Sequence, residues 1–185
     1  MVLPPAVRDA YTLFGQRRDL TRVQDRLLGL DELCLDEGVL VFRVENQSVA
    51  EWGIRVCDPH LDDPPVLLRS FAQPGPAPWR PFLGRFSLAC VEMVLSETML
   101  GNDICDNREL DDTTLTALVR NFTRLSFPDY PLWPEPDGRP VRWFGDNRVL
   151  LRDDGGLWLW VHARTMEALD RVRALLPGDW ILSEG

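Results

Sequence analysis

Hydrophobic positions recur at helical spacing from the start of the chain. Leu3, Val7, Ala10, Tyr11 and Phe14 share one face, Pro4 and Pro5 suit a first helical turn, and Gly15 is a natural stop. Residues 16 to 35 are rich in Arg and Asp with scattered Leu, and read as loop with one short helix. The period then changes. Val39 to Val44 is a run of strand formers, and Trp52, Ile54 and Val56 alternate with Glu51, Gly53 and Arg55, the two-residue period of a strand buried on one side. Glu45-Asn46-Gln47-Ser48 is the turn between them, and Val66 to Arg69 forms a third short strand entered through Pro64-Pro65.

Pro74, Pro76, Pro78 and Pro81 make residues 72 to 81 an extended connection. Phe82 to Leu100 reads as a core helix, apolar on most sides, with Arg85, Ser87, Glu92, Ser96 and Glu97 as its polar positions and Gly101-Asn102 as its end. After an acidic run, Asp112 caps a helix carrying Leu115, Leu118, Val119 and Phe122. A second Pro-rich loop spans Pro128 to Pro140 and marks the best candidate for a sub-boundary. Strands follow at Val141–Phe144, Val149–Arg152 and Leu157–His162, the last two joined by Asp153-Asp154-Gly155-Gly156, whose glycines accept positive φ. Thr165 caps a final helix with Met166, Leu169, Val172 and Leu176 inward, and Trp180 to Leu182 can add an edge strand. Short turns between strands imply antiparallel pairing. The reading is therefore one α+β domain over residues 1–185, with an antiparallel sheet of about six strands against four or so helices.

Charge changes what the surface is expected to meet. The chain has 20 basic and 29 acidic residues, for a net charge of −9, and every basic residue is Arg, as in a GC-rich coding sequence. Guanidinium groups favour bidentate pairing and stacking. The acidic balance argues against nucleic acid as a partner and fits either a cationic partner or plain solubility. Cys34, Cys57, Cys90 and Cys105 are widely spaced, and the N-terminal Met-Val-Leu-Pro-Pro lacks the regions of a signal peptide, which together imply reduced thiols in the cytoplasm. The longest apolar stretch, Phe86 to Leu100, is interrupted by Glu92 and Glu97 and is too short for a membrane span.

The chemistry-bearing residues do not assemble into a reaction centre at the level of spacing. Cys57 and His60 have the spacing of one zinc-ligand pair, but no second pair is present, and His162 is the only other histidine. Asp58, Asp62 and Asp63 could hold a hard cation or form a solvated turn. Cys90 lies mid-helix and reads as a packed small hydrophobe, Cys105 as exposed, and no Gly-x-Ser-x-Gly elbow or Gly-rich phosphate loop occurs. Glu92 and Ser96 lie one turn apart, so an ion pair from Glu92 to an Arg is favoured over acid catalysis. Neither a metal nor a cofactor is expected.

Several stretches, in order, resemble one family. Leu3-Pro4-Pro5-Ala6-Val7-Arg8-Asp9-Ala10-Tyr11 resembles the opening helix of the SMI1/KNR4 family, also called the SUKH superfamily. Glu45-Asn46-Gln47-x-Val49-x-x-Trp52-Gly53-Ile54 resembles its strand-turn-strand, and Asp63-Pro64-Pro65-Val66, Trp79 and the apolar helix near Leu95 and Leu100 continue the pattern. The resemblance covers residues 3 to 101, with 102 to 185 a divergent C-terminal part. It implies an α+β fold and a non-catalytic role: many bacterial members are immunity proteins against toxins, often nucleases, and fungal ones regulate cell-wall synthesis.

The resulting expectation is a cytoplasmic protein-binding module, an immunity protein that neutralises a toxin or an adaptor, whose acidic face meets a basic toxin domain. The contact candidates are Glu45, Asn46, Gln47 and Trp52 around the first turn, with Asp58, Asp62, Asp63, Tyr130 and Trp133 as a second surface. Trp52 as core, Asn46 as a left-handed turn residue, and the second set as a solvated turn with a packed lid are the structural alternatives. A different class of function, a small-ligand binder or hydrolase, requires a cleft beneath the Pro-rich loops lined by Trp133, Trp143 and Trp158. Self-association as a homodimer is a third alternative, tested by light scattering.

Overall fold

A computed structural model describes residues 3–56, 61–101 and 104–181. The fold is α+β, with five helices and ten strands among the described residues, in two antiparallel sheets of six and four strands. The chain divides into two compact units, 1–101 and 102–185, so the division falls at Gly101 and not in the Pro-rich loop 128–140.

The first unit opens with α1 (Pro5–Phe14) and the short α2 (Arg18–Thr21). Its strands are β1 (Asp25–Leu27), β2 (Cys34–Asp36), β3 (Val39–Glu45), β4 (Ala50–Arg55), β5 (Val66–Ser70) and β6 (Arg80–Leu83), followed by α3 (Phe86–Leu100). They pair in the order β1-β3-β4-β5-β6, and β2 also pairs with β3. Phe86 of α3 is fully buried and meets the Phe42 ring edge-on at 4.8 Å.

Two features depart from the sequence reading. Phe82 and Leu83 belong to β6 and not to the long helix, because Leu83 pairs with Val66 and Gly84 separates them from α3. Pro81 is tolerated there because β6 is an edge strand and a missing N–H costs little at an edge. The second is a bulge between Val41 and Arg43. Leu40 opposes Ile54, but after the bulge Arg43 opposes Trp52, which puts Arg43 on the face shared by Trp52 and Ile54. Strict alternation would have turned it to the other side.

The second unit holds β7 (Cys105–Glu109), α4 (Asp112–Asn121), β8 (Arg142–Gly145), β9 (Val149–Asp154), β10 (Trp158–Ala163) and α5 (Met166–Leu175). The sheet order is β7-β10-β9-β8. Leu118, Leu151, Leu159, Val161, Leu169 and Val172 belong to one apolar core in which α4, α5 and one sheet face meet. Asp111, not Asp112, caps α4 by accepting the Thr114 N–H at 2.6 Å, and Thr165 caps α5 by accepting that of Ala168 at 3.2 Å. The β9–β10 turn forms as the glycines require, with Gly155 at φ +64° and Gly156 at φ +77°. Trp180 and Ile181 make no strand; the Ile181 N–H donates to the Asn107 carbonyl of β7 and the Arg108 guanidinium lies over the Trp180 ring, while Leu182 lies outside the described residues.

In the Pro-rich loop of this unit Tyr130 is buried and its carbonyl accepts the Val141 N–H, whereas Pro128, Asp129, Glu135 and residues 137–140 are exposed; just before the loop, the Leu125 N–H donates to the Trp143 carbonyl of β8.

Candidate functional site

The first contact region is the β3–β4 turn. Glu45 is only 2% exposed, because its carboxylate is turned back to accept the Gln47 N–H at 2.7 Å, while its carbonyl accepts the Ser48 N–H at 2.8 Å. Ser48 takes the left-handed conformation at φ +60°, not Asn46. Asn46 and Gln47 are exposed. The backbone of the turn is therefore fixed by its own first residue, and two amide side chains project from it.

Trp52 does not belong to this surface. It is 2% exposed, packed edge-on against Phe82 at 6.1 Å and covered by the Arg43 guanidinium 4.4 Å above its ring. Its alternation with Glu51 correctly indicates a strand with one covered side, but it is Trp52 that lies on the covered side.

Part of the second expected surface is taken up internally. Asp63 accepts both the N–H of Ser87 at 2.8 Å and its hydroxyl at 2.5 Å, which caps the start of α3. Asp62 is exposed, and its carbonyl receives the Ala6 N–H at 3.0 Å. Tyr130 is buried and its hydroxyl accepts the Trp143 indole N–H at 2.9 Å. Trp133 is half-buried. Asp58, like Cys57 and His60, lies outside the described residues. The three tryptophans proposed to line a cleft do not share one environment: Trp143 is 1% exposed and Trp158 37%. A groove is found elsewhere, on α4 and α5, lined by Asp112, Thr116, Arg120, Asn121 and Leu175.

Spacing does predict one feature of the interior. Glu92 pairs with an arginine, Arg43, at 2.6 Å, and the Ser96 hydroxyl donates to its other oxygen at 2.7 Å. Sequence reasoning missed what surrounds this pair. Asp25 bonds the other end of Arg43, and Glu97 accepts the N–H groups of Val23, of Gln24 at 3.0 Å and of Asp25 at 2.9 Å. All four charged residues are buried. Burial pushes the Asp25 carboxyl above the usual Asp range, against the pull of Arg43. Cys90 nearby is packed as expected, and burial pushes its thiol up to about 12.

The charge excess is thus largely internal. Of the 29 acids and 20 arginines, seven acids and two arginines are buried and three acids lie outside the described residues, which leaves 19 acids against 18 arginines half-buried or exposed. The described surface is close to neutral. The acidic face inferred from composition is for the most part a set of interior carboxylates.

The register of the second sheet brings together one pair that the sequence kept apart. Cys105 on β7 stands directly opposite His162 on β10, with Asn107 two residues along the same strand face. Cys105 is half-buried and not exposed, and burial lowers the His162 proton affinity, which favours the neutral imidazole. Among the described residues no group of three or more His, Cys, Asp or Glu is arranged to hold a metal ion. No helix of those residues is long and apolar enough to cross a membrane. No family model matches the chain, and no curated protein or solved structure matches it either.

Proposed function

We propose that the chain is a non-catalytic protein-binding module, of the immunity or adaptor kind that its resemblance to the SMI1/KNR4 family implies. The observation that carries this reading is the β3–β4 turn, where Asn46 and Gln47 are exposed on a backbone already fixed by Glu45. A pre-set turn loses little conformational freedom on binding, so amides presented from it make efficient contacts. With the described surface nearly balanced in charge, recognition rests on hydrogen bonding and shape more than on long-range attraction to a basic toxin domain.

The test is affinity isolation from the native host with the wild-type chain and the Asn46→Ala/Gln47→Ala variant side by side, followed by titration of the recovered protein. The wild type should return one stoichiometric protein, and the variant should bind it at least about tenfold more weakly, since each lost amide contact is worth roughly 0.5–1.5 kcal/mol. Equal recovery by both chains, or recovery of small molecules alone, sinks the reading.

The Cys105–His162 pairing favours a second reading, a thiol-dependent activity. Iodoacetamide labelling separates the two. Under the binding reading Cys105 reacts no faster than an ordinary thiol and Cys105→Ser keeps partner binding; labelling enhanced well above that rate and abolished in His162→Ala supports the second.

A further inference from the structure

Asp25 occupies a buried space whose charges do not balance. From β3, Arg43 reaches it and Glu45 stands opposite it in the register; from α3, Glu92 bonds the same guanidinium, Glu97 and Cys90 interact with its charge, and Ser96 bonds Glu92. From β4, the Trp52 ring lies under Arg43. From α2, Thr21 is buried while Arg18 and Asp19 lie in solvent.

The acids differ in how their charge is met. Glu97 receives three main-chain N–H groups, and Glu92 receives Arg43 and the Ser96 hydroxyl. Asp25 has only a share of Arg43: one of its oxygens is bonded, and Oδ1 is buried without a partner. The Nε atom of Arg43 and the indole nitrogen of Trp52 are likewise buried without a hydrogen-bond partner. A carboxyl with one donor, sealed beside two better-served carboxylates, is the group on which a proton relieves most desolvation and repulsion.

We propose that Asp25 is a proton-operated latch: while its carboxyl is neutral β1 stays docked on β3 and α3, and ionising it frees β1 together with the neighbouring β3–β4 turn. Strand β1 is the element that yields because it is a short edge strand with three register pairs to β3, Asp25 to Glu45, Arg26 to Val44 and Leu27 to Arg43, and its start is held by Glu97, the carboxylate beside Asp25. The effect reaches the turn because Asp25 opposes Glu45, the residue that fixes the turn backbone.

The direction of the pH dependence follows from burial. The folded state holds the Asp25 proton more tightly than the unfolded chain, whose value is the ordinary 3.8. The contribution is complete below that value and is lost as pH rises through the higher folded-state value. Asp19 and Glu32 in the same unit are shifted the opposite way by their arginine and backbone partners, so their contributions grow as pH rises and cannot produce this loss. Burial also raises Asp154 in the second unit, so whole-protein unfolding is not the readout.

The experiment is amide hydrogen exchange of residues 23–27 in the full chain, corrected for intrinsic rates, between about pH 5 and 9, with carbon-detected titration of the Asp25 carboxyl. Protection should fall by up to about tenfold per pH unit as the pH rises toward the Asp25 midpoint, level off above it in the wild type, and stay flat throughout in Asp25→Asn. The Asp25 carbon should titrate well above the ordinary Asp value of 3.8. Constant protection in the wild type, a persisting fall in Asp25→Asn, or an Asp25 carbon that titrates at the ordinary Asp value overturns the latch. If Asp25→Asn does not fold, the wild-type carboxyl titration decides alone.

Discussion

Replacing Arg43 with Met should lower the stability of the first unit by about 3–5 kcal/mol, enough to remove a large part of the 5–15 kcal/mol that a domain of ordinary stability has. The reason is what the substitution leaves behind. Glu92 loses its bonded cation while 5% exposed, the Asp25 carboxyl loses its one side-chain donor while 7% exposed, and Glu97 keeps its backbone donors but loses the favourable charge of Arg43. Buried carboxylates without a counter-charge are far costlier than the absence of the pair altogether. The control follows from the same argument. Arg43→Met combined with Asp25→Leu and Glu92→Met should recover to within about 1 kcal/mol of the wild type or exceed it, since apolar groups of similar volume replace buried ion pairs at little cost. Urea denaturation followed by tryptophan fluorescence measures both, because Trp52 lies against Arg43. A single variant as stable as the wild type contradicts this account of the interior.

The second large effect is Phe86→Ala, expected to cost about 3–5 kcal/mol. Phe86 has no exposed surface and stands in the first turn of α3, where its ring meets that of Phe42 on the central strand β3 at 4.8 Å and an interplanar angle of 65°. Truncation removes the buried ring, leaves a cavity between helix and sheet, and forfeits an edge-to-face pairing worth about 0.5–1.5 kcal/mol of that total. Strand β3 is paired on both sides, so it cannot move in to close the space. Phe86→Leu, which keeps most of the volume, should cost clearly less, and the difference in denaturation midpoints between the two variants measures the cavity.

What the sequence disclosed depended on how locally each feature is encoded. The β9–β10 hairpin is written in Gly155-Gly156, and the cap of α5 in Thr165, because a turn and a cap are decided within four residues. The Glu92–Arg43 pair was half-visible: the i,i+4 spacing with Ser96 pointed to a bonded carboxylate, but nothing local named Arg43. Strands β1, β2 and β7 escaped because they are three to five residues long and rich in charge, so only pairing with a neighbour makes them strands. The bulge at Phe42 was invisible for the same reason, and it decides that Arg43 faces inward. Trp52 and Tyr130 were misplaced because period-2 patterning and Pro-rich composition indicate a strand and a loop without saying which groups are covered. Net charge misled most. It is a sum over the chain, and here seven of the acids behind it are buried.

That distribution separates two sets of polar residues in the first unit: Arg43 and its carboxylates are buried in the fold, and Asn46 and Gln47 are the exposed pair proposed for recognition. The direct measurement is the affinity of one recovered protein partner for two variants compared at a pH where both are folded. Asn46→Ala/Gln47→Ala should keep the wild-type denaturation midpoint and lose at least about tenfold in affinity, while the Arg43→Met/Asp25→Leu/Glu92→Met chain should keep the affinity within about threefold. The reverse outcome, with binding intact in the turn variant and lost in the folded core variant, would place recognition elsewhere and contradict the account.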